Sequence, residues 1–341
     1  MSDLLVVDSF GYRLGKSGKK VVFRFASGEK VERSVYTFSA LVLGGSGSVS
    51  IDALKLLASY NIPVVFVDSY GPFAVFHPFF MHGTVITRRE QMRALSDSRG
   101  VHLAKAFVFS AIANKARLLK YFAKNRVDDE NSSVLYNFSN RIESFLERIQ
   151  SVSGSLDEIR TVLMGFEGEA THIYYNALTR IIPSEFGFRG RDKRPPRDPV
   201  NSLLSYGYTI LNSVVTISIA KVGLEPFAGF LHVDRSGKPS LVLDLSEEFR
   251  QPIVDAVVVP LFTRGWISLD DFEWLDDGRV IINKGGKEKF FSHFNKRLAS
   301  KVLISGKNTS FEGAILHQAR NIARFLLRRI PRYQPFIFKW W

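Results

Sequence analysis

Residues 73–91, FAVFHPFFMHGTVITRREQ, contain the point at which the hydrophobic pattern of the chain changes. Before His77, short runs of Val and aromatic residues are separated by Gly and Ser, which is typical of β-strands and turns. From about Arg88, apolar residues recur every three or four positions, which is typical of amphipathic helices. The sequence therefore predicts an α+β, two-domain protein. A mostly-β domain with one helix is expected over residues 1–84, and an all-α domain over residues 85–341.

The first domain is predicted to contain one helix among short strands. Ser50 is suited to cap the N-terminus of this helix, and Leu54 and Leu57 supply its apolar side. The glycine-rich run Gly44–Gly47 lacks the Lys and the following helix of a phosphate-binding loop, so we expect a turn there. The predicted strands are Leu4–Val7, Lys20–Phe25, Lys30–Tyr36, Ala40–Leu43, Ile62–Val67 and Phe73–Phe76.

The second domain is predicted to be built from long helices and to carry most of the positive charge. The chain has 46 Lys and Arg residues against 33 Asp and Glu residues, and its first 80 residues hold only 8 and 6 of these. A surplus of this sign favours a polyanionic partner, such as nucleic acid or an anionic membrane. The clearest helical segments are Val101–Lys124, Asn137–Ser151 and Leu156–Ile182.

The longest uncharged segment, Pro199–Ala220, is long enough to cross a bilayer. Asn, Ser and Thr side chains recur along it, so we expect a buried helix of a soluble protein instead. The N-terminus begins Met-Ser-Asp and lacks the basic start and long apolar core of a signal peptide. The chain has no Cys, which excludes disulfides and thiolate metal sites. These features predict a cytoplasmic protein without a membrane partner.

Two basic segments are candidates for contact with DNA phosphates. Prolines exclude a helix from Phe186–Pro199, so this segment is either a mobile DNA-binding loop or a solvated linker. A helix predicted over about Phe311–Arg329 has Arg at every fourth position on one face, which is either a phosphate track or a solvated basic face. The candidate DNA-binding residues are Arg189, Arg191, Arg194, Arg197, Arg320, Arg324 and Arg328.

Glu167 lies between Gly165 and Gly168 in a predicted helix. Each glycine lowers helix stability by roughly 1 kcal/mol relative to Ala, so the pair indicates close approach of a ligand or of another backbone. A surface glutamate with incidental glycines explains the segment equally well. Glu169 and His172 share a helix face and could chelate a metal, but Glu169 lies about 200° from Glu167 around the helix. We expect Glu169 and His172 to lie on an exposed face.

A second cluster of candidate groups follows Gly229. His232 ends an apolar run, and three acids are predicted to lie along one flank of the next helix: Asp244, Glu247 and Glu248. A His with two or three carboxylates and no thiolate suits Mg²⁺ or Mn²⁺. A core His beside a solvated acidic face explains the same residues.

In their order along the chain, these segments resemble those of the Cas1 family, the CRISPR-associated integrases of spacer acquisition. The resemblance extends over nearly the whole chain. Each motif is short, but the ordered set is specific. The matching segments are Ser48–Leu54, Asn61–Asp68, Arg88–Gln91, Ile112–Lys115, Leu163–Gly168, Arg194–Tyr208, Gly229–His232 and Ser240–Arg250.

The resemblance implies a metal-dependent DNA endonuclease and integrase. A DNA 3′-hydroxyl, or water, attacks a phosphodiester of the CRISPR repeat in such an enzyme. The resemblance further implies that Glu167, His232 and Glu247 bind Mg²⁺ or Mn²⁺. By the same resemblance, Asp244 is expected close to them or at a second metal, where it completes the catalytic set. Helical periodicity does not decide between Glu247 and Glu248, whereas the family spacing selects Glu247.

The resemblance also implies partners. These are protospacer and repeat DNA, a second copy of the chain bound largely through the β domains, and the small second adaptation protein of CRISPR systems. Catalysis and DNA binding would then belong to the helical domain. Two alternatives stay open: a noncatalytic DNA-binding assembly protein with a degenerate site, and a nuclease that cleaves branched DNA in repair. The presence of all four candidate catalytic residues disfavours the noncatalytic alternative.

Overall fold

The N-terminal part of the chain is a six-stranded sheet with one helix. The computed structural model describes residues 4–68, 71–76, 84–126, 130–192 and 195–340. The first elements are β1 (Leu4–Ser17), β2 (Lys20–Arg24), β3 (Lys30–Ser34), β4 (Ala40–Val49), α1 (Ile51–Ser59), β5 (Val64–Asp68) and β6 (Gly71–Phe76). The strand order is β3-β2-β1-β4-β5-β6, in which β4 pairs in parallel with β1 and β5, and the outer pairs are antiparallel.

Strand β4 continues through the glycine run that was expected to form a turn. Gly45 has a φ of +69°, and a Cβ atom on it would lie 2.1 Å from the carbonyl oxygen of Ser9. The pairing of β1 with β4 is irregular between Phe10 and Tyr12. The glycine allows β4 to follow this irregularity at close range. The predicted turn is therefore wrong, because the run fits against a neighbouring strand.

Helix α1 covers one face of the sheet, and the helical part of the chain covers the other. The Ser50 hydroxyl caps α1 by accepting a hydrogen bond from the Ala53 N–H, as predicted. Val42 and Val65 belong to the large core that continues into the helices. Leu57 of α1 packs in a smaller core on the opposite face. The central strands β4 and β5 are thus buried on both faces.

The rest of the chain is mostly helical, as predicted, but it also contains two short antiparallel strand pairs that the all-α prediction missed. Their connections contain Gly278 and Gly306, with φ values of +80° and +77°, which suit tight turns. The helices are α2 (Thr84–Ala94), α3 (Ser98–Lys124), α4 (Asn131–Ser151), α5 (Leu156–Leu178), α6 (Pro199–Lys221), α7 (Ser240–Ser246), α8 (Ala256–Thr263), α9 (Lys284–Ala299) and α10 (Phe311–Leu326). The strands are β7 (Phe272–Trp274), β8 (Val280–Ile282), β9 (Lys301–Ile304) and β10 (Lys307–Ser310).

Helix α6 is long and apolar enough to cross a membrane, but 72% of its most apolar window is buried inside the protein. It is therefore a core helix, as expected. Tyr206 of α6 donates a hydrogen bond to Asp8 of β1 at 3.0 Å, and Lys287 of α9 binds the same carboxylate at 2.7 Å. These polar contacts join the sheet to the helical part.

The segment after α7 departs from the single helix that was predicted. Helix α7 ends before Glu247, and a π-helix over Arg250–Asp255 precedes α8. Pro252 has no N–H, so it cannot bond to the carbonyl four residues earlier, that of Glu248. Asn114 of α3 donates to this carbonyl instead, at 2.9 Å. Both glutamates consequently lie in a turn and not on one helical flank.

Candidate active site

Glu167 lies midway along α5, where two neighbouring side chains bind one of its oxygens. Lys115 Nζ of α3 is 2.8 Å from Oε1, and Thr171 Oγ1 donates to the same oxygen at 2.6 Å. The Lys115 side chain is only 2% exposed, so the ion pair is largely shielded from water. Burial alone would raise the pKa of Glu167, but Lys115, Thr171 and the charge of Arg250 together lower it to about 2. Glu167 is therefore ionised at neutral pH.

The surface of α5 beside Glu167 is open at Gly165 and Gly168. A Cβ atom on either glycine would meet nothing within 4 Å. Within the described ranges, no other backbone therefore approaches these glycines closely. The expectation that the glycines accommodate a neighbouring backbone is wrong. A ligand on this face and a glutamate with incidental glycines are both consistent with this open surface. Glu169 and His172 are exposed, as expected.

Asp244 is fully buried in α7 and organises the loop that carries His232. Its Oδ2 accepts hydrogen bonds from the backbone N–H groups of Phe230 and Leu231 at 2.6 and 3.0 Å. Its Oδ1 accepts from the His232 N–H at 2.9 Å and lies 2.7 Å from His232 Nδ1. A proton on Nδ1 leaves Nε2 as the available acceptor. Asp244 thus positions His232, and both of its oxygens are already used within the protein.

Glu247 follows α7 and is almost completely buried, with 4% of its side chain exposed. Its Oε1 accepts a hydrogen bond from Arg250 Nη1, and its Oε2 has no partner among the residues that the structure describes. A buried carboxylate oxygen without a partner is unfavourable until a cation or a donor binds it. Arg250 lies over the Tyr208 ring and within electrostatic range of both Glu247 and Glu167. The two glutamates therefore share one cationic neighbour.

Glu248 is also fully buried, but it belongs to a different environment. Tyr333 OH donates to its Oε1 at 2.7 Å, while the Phe336 N–H and Gln318 Nε2 donate to its Oε2 at 2.8 and 3.0 Å. Burial raises the pKa of Glu248 to about 7 against the effect of these donors. A solvated acidic face, one of the two expectations for this segment, is therefore wrong.

Two adjacent residues of α3 bind the segments that carry Glu167 and Glu247. Lys115 binds Glu167, and the preceding residue, Asn114, binds the carbonyl of Glu248, which is next to Glu247. Over the described part of the chain, however, no three His, Asp or Glu side chains are close enough together to hold a metal ion. Lys115 and Arg250 instead each bind one glutamate oxygen.

Each of the three predicted metal ligands nevertheless keeps an atom suited to a hard divalent cation. Glu247 Oε2 is buried and has no hydrogen-bond partner among the described residues. Lys115 and Thr171 bind Oε1 of Glu167, which leaves its Oε2 without a hydrogen bond to any described residue. Asp244 binds Nδ1 of His232, which leaves Nε2 in the same state. Two carboxylates and an imidazole without a thiolate fit Mg²⁺ or Mn²⁺.

The predicted DNA-binding arginines differ in their surroundings. Arg191 donates to Asn201 Oδ1 and Ser205 Oγ at 2.7 and 2.9 Å, so its guanidinium is anchored to α6, and its contact with DNA stays a prediction. Arg328 follows the end of α10 with a φ of 56°, so it does not continue the predicted helical face. Arg194 lies outside the described residues. The exposed candidates are Arg189, Arg197, Arg320, Arg324 and Arg328.

Three side chains of the site were missed by the sequence prediction: Lys115, Arg250 and Asn114. A lysine inside the apolar part of α3 is a usable signal, because a buried lysine needs an ionic partner. Arg250 follows Glu247 at the spacing of a local ion pair. Asn114 gives no such signal, because its backbone partners Glu248 and Phe336 are 134 and 222 residues away in sequence.

In sequence, this chain is related to CRISPR-associated proteins. The family model described as CRISPR associated protein Cas1 matches residues 5–296. A CRISPR-associated endonuclease Cas1 of Archaeoglobus fulgidus is 36% identical over 98% of this chain and 99% of its own length. The CRISPR-associated endonuclease Cas1 of Korarchaeum cryptofilum is 32% identical over 98% of this chain and 97% of its own length.

Solved structures share the fold. A Cas1 protein from Thermotoga maritima matches with a TM-score of 0.80 and 21% identity, over 98% of this chain and 100% of that one. A casposase bound to integration product matches with a TM-score of 0.82 and 24% identity, over 98% of this chain and 93% of that one. At these identities the structural likeness concerns the fold alone. The family model covers most of the sequence and the relatives align along nearly all of it, so this chain belongs to the Cas1 family of CRISPR-associated proteins.

Proposed function

We propose that this chain is a divalent-metal-dependent DNA endonuclease and integrase that inserts protospacer DNA into a CRISPR array. The observation that carries the proposal is the state of Glu167, His232 and Glu247, which are each held by a neighbour and each left with one ligand atom. Two further facts support it: relatives named endonucleases align along nearly the whole chain, and the net charge of +13 favours a nucleic-acid partner.

The metal would be held by Glu167, His232 and Glu247. A bound Mg²⁺ or Mn²⁺ would neutralise phosphate charge and lower the pKa of the attacking hydroxyl or water. Lys115 and Arg250 compensate the charge of the two carboxylates and so reduce their mutual repulsion. Binding would require these three side chains to move closer together than they lie in this structure, with each glutamate presenting the oxygen that is not bound by Lys115 or Arg250.

The protein's own groups are suited to a phosphodiester substrate. The low pKa of Glu167, about 2, keeps this side chain ionised throughout the physiological range. Asp244 holds the His232 ring in one orientation, with Nε2 available as a ligand. A phosphate bound beside these glutamates would lie near the positive charges of Lys115 and Arg250, which would stabilise the negative charge that develops on its oxygens.

The proposed reaction exchanges one phosphodiester bond for another. The oxygen of a protospacer 3′-hydroxyl forms a bond to a phosphorus of the repeat, and the bond between that phosphorus and its original 3′-oxygen breaks. The proton lost by the attacking hydroxyl is balanced by the proton gained by the leaving 3′-oxygen. In hydrolysis, water replaces the 3′-hydroxyl as the attacking group, and the same bond breaks.

The proposed partners are DNA, a second copy of the chain and the small second adaptation protein. Large apolar side chains of the β domain are strongly exposed, including Phe10 at 78%, Ile51 at 70% and Phe73 at 66%, which supports a dimer through this domain. A chain of a Cas6-RT-Cas1–Cas2 complex has the same fold, with a TM-score of 0.81 and 20% identity over 99% of this chain and 36% of that one. The exposed arginines of α10 support contact with DNA phosphates.

A strand-transfer assay with a short duplex, a repeat-bearing plasmid and the second adaptation protein tests the function. We expect Mn²⁺-dependent products from the natural chain and none from Glu167→Ala, with DNA affinity retained and stability lowered because the buried Lys115 loses its ionic partner. Glu169→Ala is the matched control, because Glu169 is an exposed glutamate two residues away on the same helix, and it should retain activity.

The outcomes separate the alternatives. Products from Glu167→Ala at the natural rate would refute the assigned site. A natural chain that binds DNA but yields neither cleavage nor strand transfer would identify a noncatalytic assembly protein. Cleavage of branched DNA without strand transfer would identify a repair nuclease.

A further inference from the structure

Residues 331–340 form neither helix nor strand and cross α3 as an extended segment, here called the C-terminal strap. Core side chains bind its backbone. Ser110 Oγ and Asn114 Nδ2 of α3 donate to the Phe336 carbonyl, and the Phe338 N–H donates to Asn114 Oδ1 at 2.9 Å. The position of the strap therefore depends on these side chains, because no regular secondary structure fixes it.

The strap binds the residue that follows Glu247. Of the three donors to the Glu248 carboxylate, Tyr333 OH and the Phe336 N–H belong to the strap, and Gln318 belongs to the adjacent α10. The Phe336 ring stacks on Phe249, with ring centroids 4.8 Å apart. The strap thus holds the turn that carries Glu247 through both polar and aromatic contacts.

Asn114 joins this turn to α3. Its side chain is fully buried, and Nδ2 lies 2.9 Å from the Glu248 carbonyl and 3.0 Å from the Phe336 carbonyl. The Glu248 carbonyl is available because Pro252 cannot donate to it. The residue after Asn114 is Lys115, which binds Glu167. A single amide therefore links the strap, the Glu247 turn and the helix that holds Glu167.

Arg297 of α9 links the strap to the π-helix that follows the turn. The Arg297 guanidinium lies 4.9 Å from the centroids of the Phe338 and Trp340 rings, and its Nε donates to the Pro252 carbonyl at 2.7 Å. Arg250, the cationic neighbour of both glutamates, is the first residue of this π-helix. The strap thus contacts the turn that carries Glu247 directly and the π-helix that begins at Arg250 through Arg297.

We propose that the C-terminal strap fixes the position of Glu247 relative to Glu167 in the metal site, with Asn114 and Glu248 as its positioning residues. The inference rests on the proposed function, since it concerns the same ligand set. Asn114 and Glu248 are not catalytic residues, because the polar atoms of their side chains are occupied by the contacts described above. They act through the backbone of the turn and of α3.

Binding of Mn²⁺ to the purified full chain, followed by electron paramagnetic resonance of the free ion, tests the inference without an activity assay. We expect Asn114→Ala to weaken Mn²⁺ binding about tenfold, as loss of a group that orients a ligand does. Ser139→Ala is the matched control: its hydroxyl is also fully buried and also bonds to α3, at the Ala116 carbonyl (2.9 Å), but it touches neither strap nor site. Ser139→Ala should lower stability and leave Mn²⁺ affinity unchanged.

Substitutions at Tyr333 and Glu248 test the same inference if Asn114→Ala does not fold. Tyr333→Phe removes one hydrogen bond to Glu248 and keeps the ring, and we expect about threefold weaker Mn²⁺ binding. Glu248→Ala should weaken binding about as much as Asn114→Ala. Glu248→Gln still accepts bonds from Phe336 and Gln318, so it should restore affinity to within about twofold of the natural chain.

Glu247→Ala, measured in the same series, separates the two proposals. If Glu247→Ala loses Mn²⁺ binding while the folded Asn114 and Tyr333 variants bind normally, the strap inference is overturned and the proposed function stands. The strap inference is likewise overturned if Ser139→Ala weakens binding as much as Asn114→Ala. If Glu247→Ala binds Mn²⁺ as the natural chain does, the assigned metal site fails, and the strap inference fails with it.

Discussion

Glu247 and Glu248 are adjacent and both buried, yet their carboxylates differ in how many hydrogen bonds they accept within the protein. The Glu248 carboxylate accepts three hydrogen bonds from Tyr333, Phe336 and Gln318. Glu247 has one oxygen bound by Arg250 and a second oxygen without a partner among the described residues. The Glu248 side of the turn is complete within the protein, whereas the Glu247 side is completed only by a further cation or donor.

The same difference separates the candidate DNA-binding arginines. Arg191 has its guanidinium bound to Asn201 and Ser205, whereas Arg320 and Arg324 lie exposed on α10. Groups whose hydrogen-bonding capacity is used internally stabilise the fold, and groups with capacity left over are candidates for a ligand. Residue type alone would have assigned one role to both glutamates and one role to all three arginines.

Removal of the Glu248 side chain should have the largest effect on stability. We expect Glu248→Ala to lower the free energy of unfolding by about 4 kcal/mol, because three buried donors lose their acceptor and a cavity remains. Glu247→Gln keeps the bond to Arg250 and should change this free energy by less than about 1 kcal/mol. Denaturant unfolding of both variants measures the difference. A Glu248→Ala chain as stable as Glu247→Gln would break the comparison.

The pH dependence of stability isolates Glu248. Its pKa in the folded chain is raised from 4.5 to about 7, so the folded state holds the proton more tightly than the unfolded state does. The resulting stabilisation is fully present below pH 4.5 and is lost as the pH rises through 7. Relative to Glu248→Gln, the natural chain should lose roughly 3 kcal/mol across this interval. Parallel profiles for the two proteins, from unfolding at a series of pH values, would contradict the assignment.

Replacement of the exposed arginines of α10 should have the smallest effect, a change in the salt dependence of DNA binding. Each phosphate contact contributes about 0.9 to the slope of log affinity against log salt, so replacing Arg320 and Arg324 together should flatten the slope by up to about 2. Arg191→Ala is the control and should lower stability with little change in slope. Fluorescence anisotropy of labelled duplex DNA measures both slopes, and a greater flattening in Arg191→Ala would reverse the assignment.

Local sequence patterns predict much of this fold. The Ser50 cap, the strands around α1 and the helices α3 and α5 follow from periodicity and capping chemistry, which depend on residues close in sequence. The glycine run in β4 could not be assigned in this way, because its conformation is set by the backbone of Ser9 on another strand. The break after α7 has a local cause, since Pro252 forbids a regular helix there.

The candidate site was predictable in residue type but not in arrangement. Glu167, His232, Asp244 and Glu247 are identified by resemblance, and no periodicity could select Glu247 over Glu248. Their partners depend on which helices pack together, as the long-range contact between Lys115 and Glu167 illustrates. The contacts of Asp244 were equally unpredictable. Its carboxylate accepts backbone hydrogen bonds from residues 230–232, and these contacts depend on how the His232 loop folds back onto α7.

The Mn²⁺ requirement of strand transfer by Glu247→Gln and Glu248→Gln distinguishes the two neighbouring side chains most directly. A neutral amide binds a hard cation poorly, so we expect Glu247→Gln to need at least about tenfold more Mn²⁺ for half-maximal product. Glu248→Gln keeps its internal hydrogen bonds and should stay within about twofold of the natural chain. A larger shift in Glu248→Gln, or equal shifts in both variants, would contradict the assignment of Glu247 as the metal ligand.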